Sequence, residues 1–269
     1  MNTPPPLETA AALVRTVARE ELLPRFANVA PQRKTDGSLV SEADLAVQTH
    51  LTERLNGLWP DYAVLSEEQS AATAADALAA LKTGVWCLDP LDGTSNFIAG
   101  LPYFAVSLAF LRHDAIEIGV VYDPCRDECF SAQRGVGAWL NGEPVRAAVA
   151  PERLADSLAL IDFKRIPVPL RERLSRRPPY KSQRSLGAVA LDFCWLARRR
   201  CHLYLHGRQR IWDYAAGLLI LSESGGTAQT LDGEPVFSPT LAPRSTVAAC
   251  SATLFDAWSA WLNRPADPD

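Results

Sequence analysis

The sequence of 269 residues lacks any long hydrophobic run, since even a largely apolar stretch such as AVSLAFL at 105–111 spans only seven residues. A helix needs about 20 apolar residues to cross a bilayer, so we expect no membrane span. The first thirty residues also lack a basic segment followed by an apolar core, which is the mark of a secretory signal. These absences predict a soluble, cytoplasmic protein.

An excess of positive charge is missing as well. The net charge is −4 and the pI is near 5.7, so no chain-wide positive field attracts nucleic acid or an anionic membrane, and we expect neither as a partner. The cysteines lack zinc-ribbon spacing, and several stand in apolar runs, which predicts reduced, buried thiols. The six are Cys87, Cys125, Cys129, Cys194, Cys201 and Cys250.

An apolar content of 48% is enough to fill a large core. Helical spacing of apolar residues from Leu7 onward predicts a first helix that ends near Pro24. A second helix is predicted from about Ser41 to Leu58, with Ser41 and Asp44 in a capping pattern. Short strands from YAVLS (62–66) to the hairpin GAWLNGEPV (137–145) then predict a sheet rich in antiparallel pairs.

A change of texture near 148–154 predicts a boundary, which divides the chain into residues 1–148 and 149–269. The second half is predicted to hold a strand (LALIDF), a proline-rich basic segment, a helix near 187–199, a strand (CHLYLH), a helix after Trp212 and a closing strand (STVAACS).

Two aspartates end the apolar strand VWCLD and the turn that follows it, in the segment DPLDG at 89–93. Because Pro90 and Asp92-Gly93 turn the chain, both carboxylates and the Leu91 carbonyl can converge on one point. Hard divalent cations such as Mg²⁺ prefer oxygen ligands of this kind. Two turn-forming aspartates without a ligand are the alternative. The next residues, GTSN, predict the start of a short helix whose free N–H groups could hold an anion.

Two further acids stand at comparable places. Glu67 follows the strand YAVL in the segment SEE, and Asp213 begins a predicted helix in IWDYAAG. Taken singly, Glu67 could be a solvated turn residue and Asp213 an N-cap. Together with DPLDG they predict a carboxylate constellation.

These motifs resemble those of the magnesium-dependent, lithium-sensitive inositol monophosphatase family. The resemblance rests on DPLDGTSNF, on WDYAAG followed by ESGG, and on KTDGSLVSEAD (34–44), LSEE (65–68), YDPCRDECFSAQRGVGAWLNG (122–142) and RSLGAVALDFC (184–194). It covers essentially the whole chain. It implies an α/β (α+β) fold, a layered αβαβα sandwich of the inositol monophosphatase and fructose-1,6-bisphosphatase type, and a homodimer.

The resemblance also implies roles for individual residues. Two or three Mg²⁺ ions would be held by Glu67, Asp89, the Leu91 carbonyl, Asp92 and Asp213, with Asp89 bridging two of them. The catalytic residues would be Thr94, Asp44 and Glu67, where Thr94 paired with Asp44 orients and deprotonates the attacking water. The substrate contacts would be Gly93, Thr94, Gly187, Val189, His206 and Asp213. For Asp44, simple helix capping stays open as the alternative.

The implied activity is hydrolysis of a small phosphorylated alcohol or sugar, with inositol 1-phosphate as the first candidate. Histidinol phosphate, fructose 1,6-bisphosphate and 3′-phosphoadenosine 5′-phosphate are alternatives, and a regulatory role in binding protein or RNA is an alternative of another class. Inositol-selective members carry a glutamate where this chain has His206, which puts inositol specificity in question; an exposed histidine at the strand end is the alternative. The basic segment 171–184 could be solvated or could line the cleft, and Arg208 and Arg210 could likewise favour a second anionic group.

Overall fold

The computed structural model describes residues 4–26, 28, 32–33, 39–145 and 149–264. Two features of the sequence lie outside the described residues. They are the segment KTDGS at 34–38, which begins one of the motifs of the resemblance, and the predicted boundary at residue 148. The helices are α1 Leu7–Glu21, α2 Glu42–Leu58, α3 Ala71–Ala79, α4 Thr94–Ala99, α5 Val168–Arg176, α6 Val189–Ala197, α7 Ile211–Glu223 and α8 Ala252–Leu262.

The strands alternate with these helices along the chain. They are β1 Gln32–Arg33, β2 Leu39–Val40, β3 Ala63–Ser66, β4 Val85–Asp92, β5 Ala105–Arg112, β6 Ala115–Asp123, β7 Glu128–Gln133, β8 Gly137–Leu140, β9 Glu143–Pro144, β10 Leu158–Ile161, β11 Ser182–Arg184, β12 Leu203–Gln209, β13 Thr227–Gln229 and β14 Arg244–Ala249. All the strands predicted from the sequence are present.

Two mixed sheets form the frame. The larger has the order β3-β4-β5-β6-β7-β8-β9, in which only the β3–β4 pair is parallel, so the predicted antiparallel character is confirmed. The smaller has the order β11-β10-β12-β14-β13, with β10 parallel to both of its neighbours. The strands β1 and β2 form a separate antiparallel pair.

Helices cover the sheets in layers. The alternation of side chains along β4 sends Trp86 and Leu88 toward α1 and α2, and Val85 and Cys87 toward α6 and α7. The helices α6 and α7 lie between the sheets, because their buried side chains share one core with both β4 and the residue Tyr204 of β12. On the far face of the smaller sheet, α5 and α8 close a third core. The predicted αβαβα sandwich is confirmed.

Three helices were not predicted, namely α3, α5 and α8. The helix α5 occupies the basic segment and packs in the outer core through Leu174. Its Arg173 lies 4.6 Å over the ring of Trp261 and donates to the Leu262 carbonyl at the end of α8, at 2.6 Å. The α5 part of the segment therefore lies on the outer layer, where Arg173 packs against α8.

The remaining chain-wide expectations have two outcomes. All six cysteines are free thiols, as predicted, and five of them are buried. In the part of the chain that the structure describes, no helix is both long enough and apolar enough for a bilayer crossing.

Candidate functional site

The strand β4 carries the first acids of the site. All eight of its residues are buried, and its pairing with β5 becomes irregular between Asp89 and Asp92, where Pro90 and Leu91 interrupt the ladder. The Leu91 N–H donates to Oδ1 of Asp89 at 3.1 Å. The sequence predicted carboxylates at the end of a buried strand, and the structure confirms that arrangement.

Three carboxylates from different elements meet at this edge. Glu67 follows β3, Asp89 lies in β4 and Asp213 lies in the first turn of α7, and one oxygen from each lies within 4.8 Å of the others. The approach of β3 and β4 is set by their parallel pairing, which runs from Ala63 opposite Val85 to Ser66 opposite Leu88. Glu67 is thus a member of a cluster and not an isolated turn residue.

Asp213 is not an N-cap, so that alternative is wrong. The helix α7 begins at Ile211, which makes Asp213 its third residue, and its carboxylate reaches back to accept the N–H of Arg210 at 2.8 Å. A carboxylate at this position stabilises the start of a helix and still keeps free lone pairs for a ligand.

Burial and mutual repulsion dominate the electrostatics of the cluster. Burial, then the charges of Glu67, Asp92 and Asp213, raise the pKa of Asp89 well above its ordinary value. Burial and the charge of Glu67 raise the pKa of Asp213 to about 7, although the Arg210 N–H and the positive charges of Arg165 and Arg210 oppose the rise. A bound cation would relieve both contributions.

The carboxylate of Asp92 bonds to a different element from those that the other three acids contact. Its two oxygens accept the N–H groups of Val189 at 3.1 Å and Ala190 at 2.6 Å, and so cap the start of α6, whose own N-cap residue, Ala188, offers no side-chain acceptor. Burial and the charge of Asp213 raise its pKa well above the ordinary value. The structure therefore places Asp92 beside the cluster, joining the larger sheet to the central helices.

The contacts of Asp44 agree with both roles that the sequence left open, the pairing with Thr94 and the capping of α2. Its Oδ2 accepts the N–H of Ser41 at 2.8 Å and the Ser41 hydroxyl at 2.6 Å, which completes a capping box for α2. Its Oδ1 lies 3.1 Å from the Thr94 hydroxyl, which also lies 3.0 Å from the Leu91 carbonyl oxygen. Burial raises the pKa of Asp44 against the lowering effect of these bonds. One carboxylate thus caps a helix and holds the Thr94 side chain.

Gly93 makes the turn from β4 into α4. Its φ of +93° lies in the left-handed region, and a Cβ at this position would lie 3.0 Å from the Tyr103 carbonyl oxygen, so glycine is required here. The N–H groups of Asn96 and Phe97 bond to the Gly93 carbonyl. The N–H groups that precede Asn96 in this turn form the predicted anion site. As the first N–H groups of a helix, they have no carbonyl one turn earlier to accept their hydrogen bonds.

Asn96 is a site residue that the sequence reasoning missed. Its side-chain amide donates to the carbonyls of Tyr103 at 2.8 Å and Leu186 at 2.7 Å, which ties α4 to the loop holding Gly187. Its place inside GTSNF is the only signal in the sequence, and that motif predicts a role for the backbone N–H groups and not for the Asn96 side chain.

Asp192 on α6 was also missed. Its carboxylate accepts the Tyr103 hydroxyl at 2.9 Å, and burial raises its pKa to about 8. The bond joins α6 to the chain that leads into β5, close to the Asn96 contacts.

His206 is not an exposed strand-end histidine, so that alternative is wrong. It is 5% exposed, its Nε2 lies 3.3 Å from Oδ2 of Asp162, and its Nδ1 accepts the N–H of Arg208 at 3.2 Å. Burial lowers the pKa of the imidazole. The pairing with Asp162, 44 residues earlier, had no signal in the sequence.

The donor set fits a hard divalent cation. The three converging side chains offer only oxygen, and they are held close together at a cost in repulsion that a doubly charged ion removes. Histidine and cysteine, which softer metals prefer, are absent from this three-residue group. Magnesium is consistent with this chemistry.

Two mixed sheets, two helices between them and clustered acids at strand ends define a layered α+β protein with a candidate divalent-cation site. The model of the inositol monophosphatase family matches residues 6–262. The chain therefore belongs to the inositol monophosphatase family of phosphatases, and the resemblance drawn from its motifs is confirmed.

Individual relatives agree with this membership. The chain is 33% identical to an inositol-1-monophosphatase of Caulobacter vibrioides over 84% of this chain and 88% of that protein. It is 36% identical to the Nus factor SuhB of Haemophilus influenzae over 72% of each chain. Among solved structures, an IMPase of Thermotoga maritima superposes with a TM-score of 0.81 at 25% identity and covers 96% of each chain.

Proposed function

We propose that this protein is a Mg²⁺-dependent phosphatase that hydrolyses a small phosphate monoester, with inositol 1-phosphate as the first candidate substrate. The observation that carries the proposal is the convergence of Glu67, Asp89 and Asp213 within 4.8 Å. The Thr94–Asp44 pair supports it, because Thr94 follows the metal-binding turn directly and lies 3.0 Å from the Leu91 carbonyl oxygen. Relatives named inositol-1-monophosphatase support the choice of substrate.

The cations would be held by the carboxylates of Glu67, Asp89, Asp92 and Asp213 and by the Leu91 carbonyl. When bound, Mg²⁺ supplies charge neutralisation for the phosphoryl oxygens and lowers the pKa of a bound water. The buried strand β4 fixes the two aspartates that it carries, so that little reorganisation is needed when the substrate binds.

The chain's own residues would position and deprotonate the attacking water. A threonine hydroxyl has one proton and two lone pairs, so Thr94 can donate to Asp44 while it accepts a hydrogen bond from water. As water attacks phosphorus, its proton passes toward Thr94 and Asp44, and the bond to the leaving alcohol oxygen breaks. Glu67 would share in activating this water. The alcohol oxygen takes up a proton, and inorganic phosphate is the second product.

The remaining contacts would orient the substrate. The backbone amides of Gly93 and Thr94 would hold the phosphate at the start of α4. Gly187, Val189, His206 and Asp213 would face the alcohol. The Val189 N–H donates to Asp92 in this structure. It could donate to a substrate only if its bond to Asp92 were broken.

A regulatory role is the second candidate, and the relatives named Nus factor SuhB favour it. The two roles differ in their need for the acids. A binding surface for protein or RNA does not require carboxylates converging on one point, whereas metal-assisted hydrolysis does.

We also propose a homodimer, which light scattering at micromolar concentration would detect.

The test is phosphate release from inositol 1-phosphate, histidinol phosphate, fructose 1,6-bisphosphate and 3′-phosphoadenosine 5′-phosphate, with Mg²⁺ and with chelator. The variant Asp92→Asn should abolish turnover, while Asp256→Asn, an exposed position on α8, should leave it unchanged. Turnover that survives both chelator and Asp92→Asn contradicts the metal mechanism. If no ester is turned over but the Asp92→Asn protein retains a cellular phenotype, the regulatory role is favoured.

A further inference from the structure

Three arginines lie around the segment that leads from β12 into α7, and we call Arg165, Arg208 and Arg210 the cationic rim. Arg210 directly precedes α7 and stands three residues before Asp213. Arg165 comes from the loop after β10, and its Nη1 donates to the Arg208 carbonyl at 3.3 Å. The Arg210 N–H donates to the Asp213 carboxylate at 2.8 Å. The rim therefore borders the carboxylate cluster on the α7 side.

The position of Arg165 is fixed by its backbone. A Cβ at residue 207 would lie 1.8 Å from the Arg165 carbonyl oxygen, so the loop can approach β12 only because this residue is Gly207. The Arg165 N–H also donates to the Asp162 carbonyl at 3.2 Å, and the Asp162 N–H donates to the Leu205 carbonyl at 3.1 Å. Its side chain stays 50% exposed, so a ligand can reach it.

The rim has more positive charge than its neighbours neutralise. Asp162 is the only acid paired with it in the described part of the chain, at 3.5 Å from Nε of Arg165. That carboxylate is shared, because His206 lies 3.3 Å from it and the Lys164 N–H bonds to it at 2.9 Å. Within the described ranges, Arg208 and Arg210 form no ion pair. This local excess stands out in a chain of net charge −4.

The guanidinium of Arg210 is held in place without being neutralised. Its Nη1 donates to the Leu241 carbonyl at 2.5 Å, which orients the group and leaves its charge uncompensated. Guanidinium groups bind phosphate and carboxylate through paired N–H bonds, and they do so best when already oriented.

We propose that the cationic rim binds a second anionic group of the substrate, so that among the candidate esters the enzyme prefers those that also carry another phosphate or a carboxylate over inositol 1-phosphate, which carries one phosphate alone. The inference rests on the proposed phosphatase function, because the rim is useful to a substrate only if the ester phosphate is held at the neighbouring carboxylates. Asp162, which pairs with both Arg165 and His206, acts as a positioning residue for the rim, since it touches no reacting atom.

The test compares esters in pairs that differ by one anionic group. The pairs are fructose 1-phosphate with fructose 1,6-bisphosphate, adenosine 3′-phosphate with adenosine 3′,5′-bisphosphate, and glycerol 2-phosphate with 2-phosphoglycerate. The first two pairs probe a second phosphate, and the third probes a carboxylate. Initial rates of phosphate release at saturating Mg²⁺ give kcat and KM for each member.

Two variants make the comparison specific. Arg165→Gln removes a rim charge, and Arg153→Gln is its matched control, because Arg153 also pairs with an aspartate three residues away but is 74% exposed on the outer side of the fold. We expect the wild-type protein to prefer the doubly anionic member of at least one pair. Arg165→Gln should reduce that preference about tenfold, mainly through KM, as the loss of one charge-assisted bond implies. Arg153→Gln should retain the wild-type preference.

The outcomes separate the two proposals. Equal kcat/KM within every pair, or a preference that Arg165→Gln leaves intact, overturns the role of the rim and leaves the phosphatase standing. Absence of Mg²⁺-dependent turnover for every ester overturns the phosphatase, and the role of the rim with it. Circular dichroism and a thermal melt of each variant establish that a lost preference does not come from unfolding.

Discussion

Replacing Asp213 by asparagine should stabilise the metal-free protein at neutral pH. Burial and Glu67 raise the pKa of Asp213 from 3.8 to about 7. Between those pH values the unfolded chain has released a proton that the folded chain retains, so the free energy of unfolding falls as the pH rises. At 1.36 kcal/mol per pH unit, the loss from this group reaches about 4 kcal/mol by pH 7. That is a large part of the 5–15 kcal/mol that stabilises a typical domain.

The assay is urea unfolding in the presence of chelator at pH 5 and pH 7. The asparagine introduced by Asp213→Asn has an amide oxygen that can accept the Arg210 N–H, so the start of α7 should persist. We expect the wild-type protein to lose about 3 kcal/mol more than Asp213→Asn between these pH values, at 1.36 kcal/mol per pH unit. Asp256→Asn on the exposed face of α8 is the control and should follow the wild type.

Magnesium supplies the second arm of the same experiment. A ligand that binds only the folded state stabilises it by about 2.7 kcal/mol at a hundred times its Kd. Mg²⁺ at pH 7 should therefore recover the stability of the wild-type protein but have little effect on Asp213→Asn. Parallel pH profiles for the two proteins in chelator would refute the argument that burial and repulsion hold this carboxyl at high energy.

Three further predictions concern the neighbouring residues. Asp44→Asn should lower kcat by about a hundredfold or more, because it removes the proton acceptor behind Thr94. Ser41→Ala should cost about 1 kcal/mol of stability through the lost helix cap but leave kcat unchanged. Steady-state kinetics and urea unfolding of both variants would test these expectations. Gly93→Ala should cost about 1–3 kcal/mol more in urea unfolding than Gly135→Ala, since both have positive φ but only the first meets a backbone oxygen at 3.0 Å. Asn96→Ala should destabilise by about 1–3 kcal/mol and reduce kcat/KM, because two carbonyls lose their donor; unchanged stability in a thermal melt would contradict this.

The parts of the fold that the sequence predicts are those with strong local signals. The helix α2 has a capping pair at Ser41 and Asp44 that the structure reproduces, and β4 is an unbroken apolar run ending in turn residues. The strands β11 and β13 have three residues each, too few for any periodicity to show. The helix α5 begins after Pro167 and is rich in arginine, so it contributes few apolar residues and the sequence shows no helical spacing of them there.

The residues of the site also differ in how strongly the local sequence predicts them. DPLDG indicates a turn that gathers ligands, because all of its oxygen donors lie within a few residues. The meeting of Glu67 with Asp213 depends on packing across 146 residues of chain, and the sequence suggested it through their places at a strand end and a helix start and through resemblance to a known family. The pairing of His206 with Asp162 had neither kind of signal, since an aspartate after a strand is common and needs no partner. Specificity therefore lies in the part of the site that the sequence reveals least.

The central helices α6 and α7 pack against both sheets, and through Asp213 and the Asp92 bonds to α6 they also complete the carboxylate cluster. A cation bound at this cluster, as proposed, would take ligands from β3–β4 of the larger sheet and from α7, which follows β12 of the smaller sheet. We therefore expect the affinity for the proposed cation to depend on whether both sheets are assembled, and a bound ion to couple their unfolding.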